Sequence, residues 1–170
     1  YGPDEAFRAL GSHTYLAAGV YAVKVTITDK DGASTQALYQ YVVVYDPNGG
    51  FVTGGGWIDS PAGAYRPNPA LVGKASFGFA AQYRKGANVP TGNTQFQFHA
   101  AGVDFKSTRY EWLVIAGAKA QYQGVGTING AGNYGFMLTA TDGDLLSRGG
   151  TDKLRMKIWD KNNGDALVYD

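Results

Sequence analysis

Catalysis needs groups that titrate, ligate or attack, and this sequence brings few of them together. The two histidines, His13 and His99, stand far apart, and no carboxylate cluster lies beside His13. Spacing alone therefore gives neither a metal site nor a nucleophile–base pair. Glycoside hydrolysis requires two carboxylates flanking a cleft. Glu111, between Tyr110 and Trp112, is one such group, but nothing marks its partner. The sequence reads as non-catalytic.

Two stretches place oxygen ligands close together: Asp160-Lys161-Asn162-Asn163-Gly164-Asp165 and Asp142-Gly143-Asp144. Calcium takes six to eight oxygens. Asp160, Asn162 and Asp165 form the better set for it, although neither stretch has the twelve-residue loop with its final Glu. Both are more simply read as hairpin and loop residues. The run Gly54-Gly55-Gly56 lacks the Lys-Ser/Thr of a phosphate loop, so it is read as a bulge or a close backbone approach beside Trp57.

A second kind of chemistry is recognition. Gln95, Gln97, His99, Lys119, Gln121, Gln123, Arg155 and Lys157 all oppose the apolar positions of their strands. Amides and cations on a sheet face suit the hydroxyls and acids of a polysaccharide. A solvated face is the simpler account, because every half-buried antiparallel sheet has one. Sugar rings also stack on aromatics. Trp112, Tyr83 and Tyr110 fall on apolar positions and read as core. Trp159 has the opposite parity to Ile158, and Tyr65 sits in a Pro-rich loop. The candidate ligand-binding set is therefore Tyr65, Gln97, His99, Gln121 and Trp159.

These residues must be positioned by strands. Phe77, Phe79, Ala81 and Tyr83 alternate with other residues, as do Phe96 and Phe98, and Tyr110, Trp112 and Val114. Period-2 alternation predicts strands with one wet and one dry face. The spacing predicts strands at 74–84, 94–100, 103–106, 109–116, 118–129, 132–141, 152–160 and 165–170. Asn129-Gly130 and Asn162-Asn163-Gly164 form the hairpin turns, and Gly124-Val125-Gly126 kinks its strand. Upstream, Tyr21, Val23, Val25 and Ile27 alternate along a strand. Asp29-Lys30-Asp31-Gly32 turns the chain, and Gln36 to Tyr45 returns.

Composition agrees. The chain has 170 residues, 25 of them Gly, and 14% are aromatic, which suits many short strands and tight turns. Of its 14 acids only Glu5 and Glu111 are Glu, a skew towards turn formers. The net charge of +1 gives no electrostatic case for nucleic acid or an anionic membrane. The absence of cysteine excludes disulfides and thiolate metal sites. No apolar run is long enough to insert in a membrane as a helix, and none reads as a signal peptide. If the protein is secreted, its signal is expected upstream of Tyr1.

Two resemblances add to this reading. His13-Thr14-Tyr15, Ala18-Gly19-Val20-Tyr21 and Thr28-Asp29-Lys30-Asp31-Gly32 resemble the later strands of a PKD (polycystic kidney disease) module, over roughly residues 12–46. The resemblance implies an immunoglobulin-like sandwich and a structural His13. The Trp-Asp-Phe-Gly-Asp-Gly motif common before the His in that family has no counterpart here, where Tyr1-Gly2-Pro3-Asp4 stands upstream. The earlier strands are expected either upstream in a longer polypeptide or from a neighbouring chain. Over about 51–170 the chain resembles the bacterial post-choice-of-anchor type domain. The residues that carry this include Gly54-Gly55-Gly56-Trp57-Ile58, Lys74-Ala75-Ser76-Phe77-Gly78-Phe79, Gly86-Ala87-Asn88-Val89-Pro90-Thr91-Gly92 and Tyr110-Glu111-Trp112-Leu113-Val114. Gly126-Thr127-Ile128-Asn129-Gly130 and the stretch Asp152 to Asp160 extend the match. That resemblance implies a secreted or cell-surface location and brings no catalytic residues.

The expected organisation is all-β: residues 1–46 as the end of a PKD/Ig-like module, 47–56 as linker and entry strand, and 57–170 as an antiparallel β-sandwich or jelly-roll-like domain. The expected function is a non-catalytic extracellular structural or adhesive module, assembling by strand exchange at the incomplete N-terminal sandwich, with carbohydrate binding as the alternative. Expected partners are a second copy, an upstream domain or a polysaccharide.

Overall fold

The computed structural model describes residues 11–46 and 50–170. The Tyr1-Gly2-Pro3-Asp4 segment and linker residues 47–49 lie outside the described residues. The fold is all-β and sandwich-like, with two antiparallel sheets.

The first sheet is a hairpin of β1 (Gly19–Thr28) and β2 (Ser34–Val44). Its turn forms because the Asp29 carboxylate accepts from the amides of Asp31 and Ala33, each at 2.9 Å, and Gly32 takes φ 87°. Tyr45, just past β2, stacks on Tyr83 at 4.8 Å between ring centroids.

The second sheet holds β3 (Phe51–Ser60), β4 (Gly73–Gln82), β5 (Thr91–Phe98), β6 (Val103–Ala116), β7 (Lys119–Ile128), β8 (Ala131–Thr141), β9 (Lys153–Asp160) and β10 (Ala166–Tyr169). Each strand pairs with its neighbour in sequence, so the sheet is a plain antiparallel meander. Residues 51–56, expected to lead into the domain, are already part of a full strand of this sheet.

The expected pair of strands at 103–106 and 109–116 is one strand, β6. Its register against β7 slips between Ser107 and Arg109 and again between Tyr110 and Trp112. Each bulge adds a residue and reverses the facing of the residues after it. Tyr110 and Leu113 both point into the core, 3% and 2% exposed, whereas Trp112 is half-buried outside the core cluster. Regular alternation had placed Trp112 inside.

The sheet curls around one aromatic core, in which Phe96, Phe98, Phe105, Tyr122 and Phe136 are fully buried. Two glycines permit the curl. A Cβ on Gly124 would lie 2.2 Å from the Arg109 carbonyl, and one on Gly126 would lie 2.3 Å from that of Lys106. The expected kink in β7 is thus a close approach of β6 and β7 backbones over the buried rings. At one end the curl is closed. Tyr65 forms a single antiparallel bridge with Tyr169. The Arg66 amide donates to the Val168 carbonyl at 2.9 Å, and the Asp170 amide to that of Ala64 at 3.0 Å. The Tyr169 hydroxyl donates to Ser60 Oγ at 2.8 Å, and its ring meets Phe96 edge-on at 4.7 Å.

Candidate functional site

The opposite end of the curl is open. There the starts of β3, β7 and β9 and the ends of β6 and β8 surround a cleft of about 650 Å³. That volume lies within the range of pockets that enclose small ligands or peptide side chains. Its floor is apolar: Val52 and Ile58 from β3, Phe77 and Phe79 from β4, Ile115 from β6 and Leu154 from β9.

The local sequence explains the opening. Gly54 and Gly56 have the inward parity of β3, opposite Phe79 and Phe77. A Cβ on Gly54 would meet the Phe79 ring at 2.7 Å, so the glycine lets that ring lie across the strand. The β3–β4 register runs unbroken, so the triple glycine marks a close approach without a bulge. Residues of both parities, from Phe51 through Ile58, line the cleft. A cavity that touches consecutive residues of a strand meets it along its edge. β3 is the terminal strand of its sheet, and among the described residues no strand pairs with that edge.

The rim carries Lys119 and Lys153 against Asp142 and Asp152, so its formal charges cancel. Both carboxylates also have local work. Asp142 caps the short helix α1 (Gly143–Leu146) by accepting from the Leu145 amide at 3.1 Å. Asp152 accepts from the Gly143 amide at 2.8 Å.

The residues singled out from sequence are spread over the molecule. Tyr65 is half-buried at the closed end, edge-on to Phe98 at 6.1 Å. Trp159 is half-buried and lies over Gly135, whose Cβ would come within 2.2 Å of the indole. Neither ring is freely exposed. The expectation for Trp159 had its parity right, but the missing side chain at Gly135 draws the ring onto the sheet. Gln97 sits on β5 opposite Asp104. His99 begins a single 3-10 turn, with Nε2 3.5 Å from Ser76 Oγ. Gln121 Nε2 donates to the Met137 sulfur at 3.0 Å.

The outer face satisfies much of its own polarity. Gln95 donates to Asp104 at 2.9 Å, and Lys106 lies 3.2 Å from the same carboxylate. The Gln95 hydrogen bond, helped by Lys106, holds the Asp104 carboxyl below the usual aspartate range. Gln123 donates to Glu111 at 2.9 Å, with Arg109 3.7 Å from that group. Glu111 is thus engaged on the sheet surface, outside the cleft. Trp57 is an exposed tryptophan, 55% exposed, with Lys74 Nζ 4.3 Å from its ring centroid. Sequence reasoning had placed it beside the glycines without marking it as accessible.

For calcium, Asp160 Oδ1 accepts from the Asn162 amide at 2.9 Å in an Asx turn, and Asp165 takes φ 58°. These are the conformations of the tight turn between β9 and β10. Among the described residues no three His, Cys, Asp or Glu side chains group as metal ligands.

Inside the curl lies a buried polar chain. Thr94, 0% exposed, meets Tyr110 Oη at 2.7 Å and Tyr122 Oη at 2.9 Å through its Oγ1. Tyr110 donates its one proton to the Ala80 carbonyl at 3.1 Å. That fixes the remaining order: Tyr122 donates to Thr94, and Thr94 donates to Tyr110. Burial pushes the Tyr122 phenol well up and also raises that of Tyr110, against the smaller opposing effect of the Thr94 bond. This chain ends on the backbone carbonyl of Ala80 and serves packing.

Comparison with known protein families, with curated proteins and with solved structures gives no match to this chain.

Proposed function

We propose that this chain is a non-catalytic structural or adhesive module of a bacterial surface or secreted protein, joined to further strands through the β1–β2 hairpin. One observation carries the reading. Val25, Ile27 and Tyr39 share a face of the hairpin and are 42%, 58% and 68% exposed. A two-stranded sheet is marginal by itself in water, and an apolar face on it calls for cover. Covering an exposed side chain of this size is worth about 1.5–3 kcal/mol at full burial, and proportionally less from half-burial. The resemblances to a PKD module and a post-choice-of-anchor type domain accord with this arrangement.

Sedimentation velocity over a concentration series tests it. The expected outcome is self-association that Ile27→Asp weakens while leaving the monomer folded. A chain that stays monomeric, with hairpin amides exchanging as freely as an open strand, would remove this reading.

Carbohydrate binding is the second reading. It draws on an outer-face depression of about 250 Å³ lined by Gln121, Met137, Thr139, Arg155 and Lys157, where the Lys157 ammonium would meet an acidic polysaccharide. A glycan screen tests it, with Lys157→Ala expected to lose the signal. No binding to any acidic polysaccharide would count against it.

A further inference from the structure

We infer that the open edge of β3 is the acceptor for the β1–β2 hairpin of a second copy of this chain. The inference rests on the hairpin reading above and names the surface that receives it.

The edge calls for a strand more than for any other occupant. β3 is ten residues long, and its outer row of backbone N–H and C=O groups lacks a strand partner among the described residues. Natural edges are blunted by bulges, prolines or inward charges. β3 has an unbroken register, no proline and no Lys or Arg. A ligand chosen for its charge has no purchase, because Lys119 and Lys153 on the rim are offset by Asp142 and Asp152. What remains unanswered is a row of neutral backbone dipoles beside an apolar floor. An extended chain with apolar residues at alternate positions answers both.

The same polypeptide presents that chain. β1 is also ten residues long, and its outer edge lacks a strand partner among the described residues. Along it Tyr21, Val23, Val25 and Ile27 alternate with polar or small residues. Pairing β1 with β3 would continue the large sheet by two strands. Val25 and Ile27 would then extend over the cleft towards Phe77 and Phe79. Within one chain the hairpin touches β6, and among the described residues it does not pair with β3. The contact is head-to-tail: hairpin on one side, β3 on the other. Repeated, such a contact builds a chain of subunits unless the rotation closes it into a ring.

Two variants disable the two halves separately. Ile27→Asp spoils the hairpin face at an exposed position. Gly56→Lys directs an ammonium into the cleft, and its Cβ meets the Phe77 ring at an ordinary 3.5 Å, so the monomer fold tolerates it. Near-UV circular dichroism of each variant verifies the fold. The wild-type chain is expected to form species larger than dimers in sedimentation velocity. Each variant alone is expected to associate more weakly by at least about tenfold. Mixed, they are expected to form a heterodimer and nothing larger, since one intact half survives on each. In that heterodimer, amides 51–58 of the Ile27→Asp partner become protected from hydrogen exchange. Association lost with Ile27→Asp but kept with Gly56→Lys would overturn the β3 acceptor while sparing the hairpin reading. A mixture that stays monomeric while wild type associates would overturn the head-to-tail contact. A monomeric wild type would overturn both.

Discussion

Replacing Thr94 by Val removes one oxygen from a fully buried polar point and leaves the volume nearly unchanged. The hydroxyl links Tyr122 and Tyr110 at 2.9 and 2.7 Å. Without it the Tyr110 phenol still donates to Ala80, at 3.1 Å. Tyr122, 0% exposed, loses the acceptor for its proton. One buried donor without a partner costs about 1–3 kcal/mol, and the lost bond to Tyr110 adds about 1 kcal/mol. Thr94→Val is therefore expected to lower stability by about 2–4 kcal/mol in urea denaturation, with the slope of the transition unchanged. The double-mutant cycle is sharper. Tyr122→Phe removes the stranded donor, so in the Thr94→Val background it should cost far less than in wild type. A coupling energy of about 1–2 kcal/mol is expected. Additive losses, with coupling under about 0.5 kcal/mol, would refute the proton order assigned to the chain.

Gly124→Ala forces a Cβ to within 2.2 Å of a carbonyl oxygen and 2.9 Å of the Phe136 ring. It is expected to cost more than about 3 kcal/mol or to prevent folding, measured by thermal melting against a Gly78→Ala control, where the backbone is not at positive φ and the added Cβ meets nothing. Tyr169→Phe removes the bond to Ser60 across the closed end and should cost about 1 kcal/mol, recovered in part by Ser60→Ala in the same chain. Arg155 donates twice to Asp170, at 2.6 and 2.8 Å, and holds its carboxyl below the usual aspartate range. A carboxylate depressed in the folded state stabilises fully above its unfolded value. It loses that contribution as pH falls through the folded one. Stability should thus drop below about pH 4, and Asp170→Asn should make that acid limb shallower.

The strands were legible because alternation is a local signal. Phe77 and Phe79, Phe96 and Phe98, and Met156 and Ile158 each announce a buried face within a few residues. The Asn129-Gly130 turn was legible for the same reason, as both residues take the positive φ such a turn needs, 53° and 77°. Trp112 was misplaced because a bulge is a fact about two strands, visible only once β6 is laid against β7. Trp159 and Tyr65 looked exposed because their covers, the bare backbone of Gly135 and the ring of Phe98, lie on other strands. The cleft itself left one trace, the Gly54-Gly55-Gly56 run. That run reads as an edge only when the sheet order makes β3 terminal. Thr94 drew no notice at all, since a Thr among Gln and Asn residues gives no sign that two tyrosines converge on it.

The meander has a consequence for the order of events in folding. From β3 to β9 every pairing joins strands adjacent in sequence, so each hairpin closes a short loop and can form without waiting for the others. The bond from Tyr169 to Ser60 joins residues 109 apart. The entropy of closing a loop rises with its length, so this contact belongs to the end of the process, after the hairpins have zipped and shortened the effective loop. Residues 166–170 are then expected to act as a latch, engaged after the transition state. Weakening the latch at Tyr169 or Ser60 should speed unfolding and leave the folding rate nearly untouched. The lifetime of the curled state is thus held by its last strand, and its speed of formation by the turns before it.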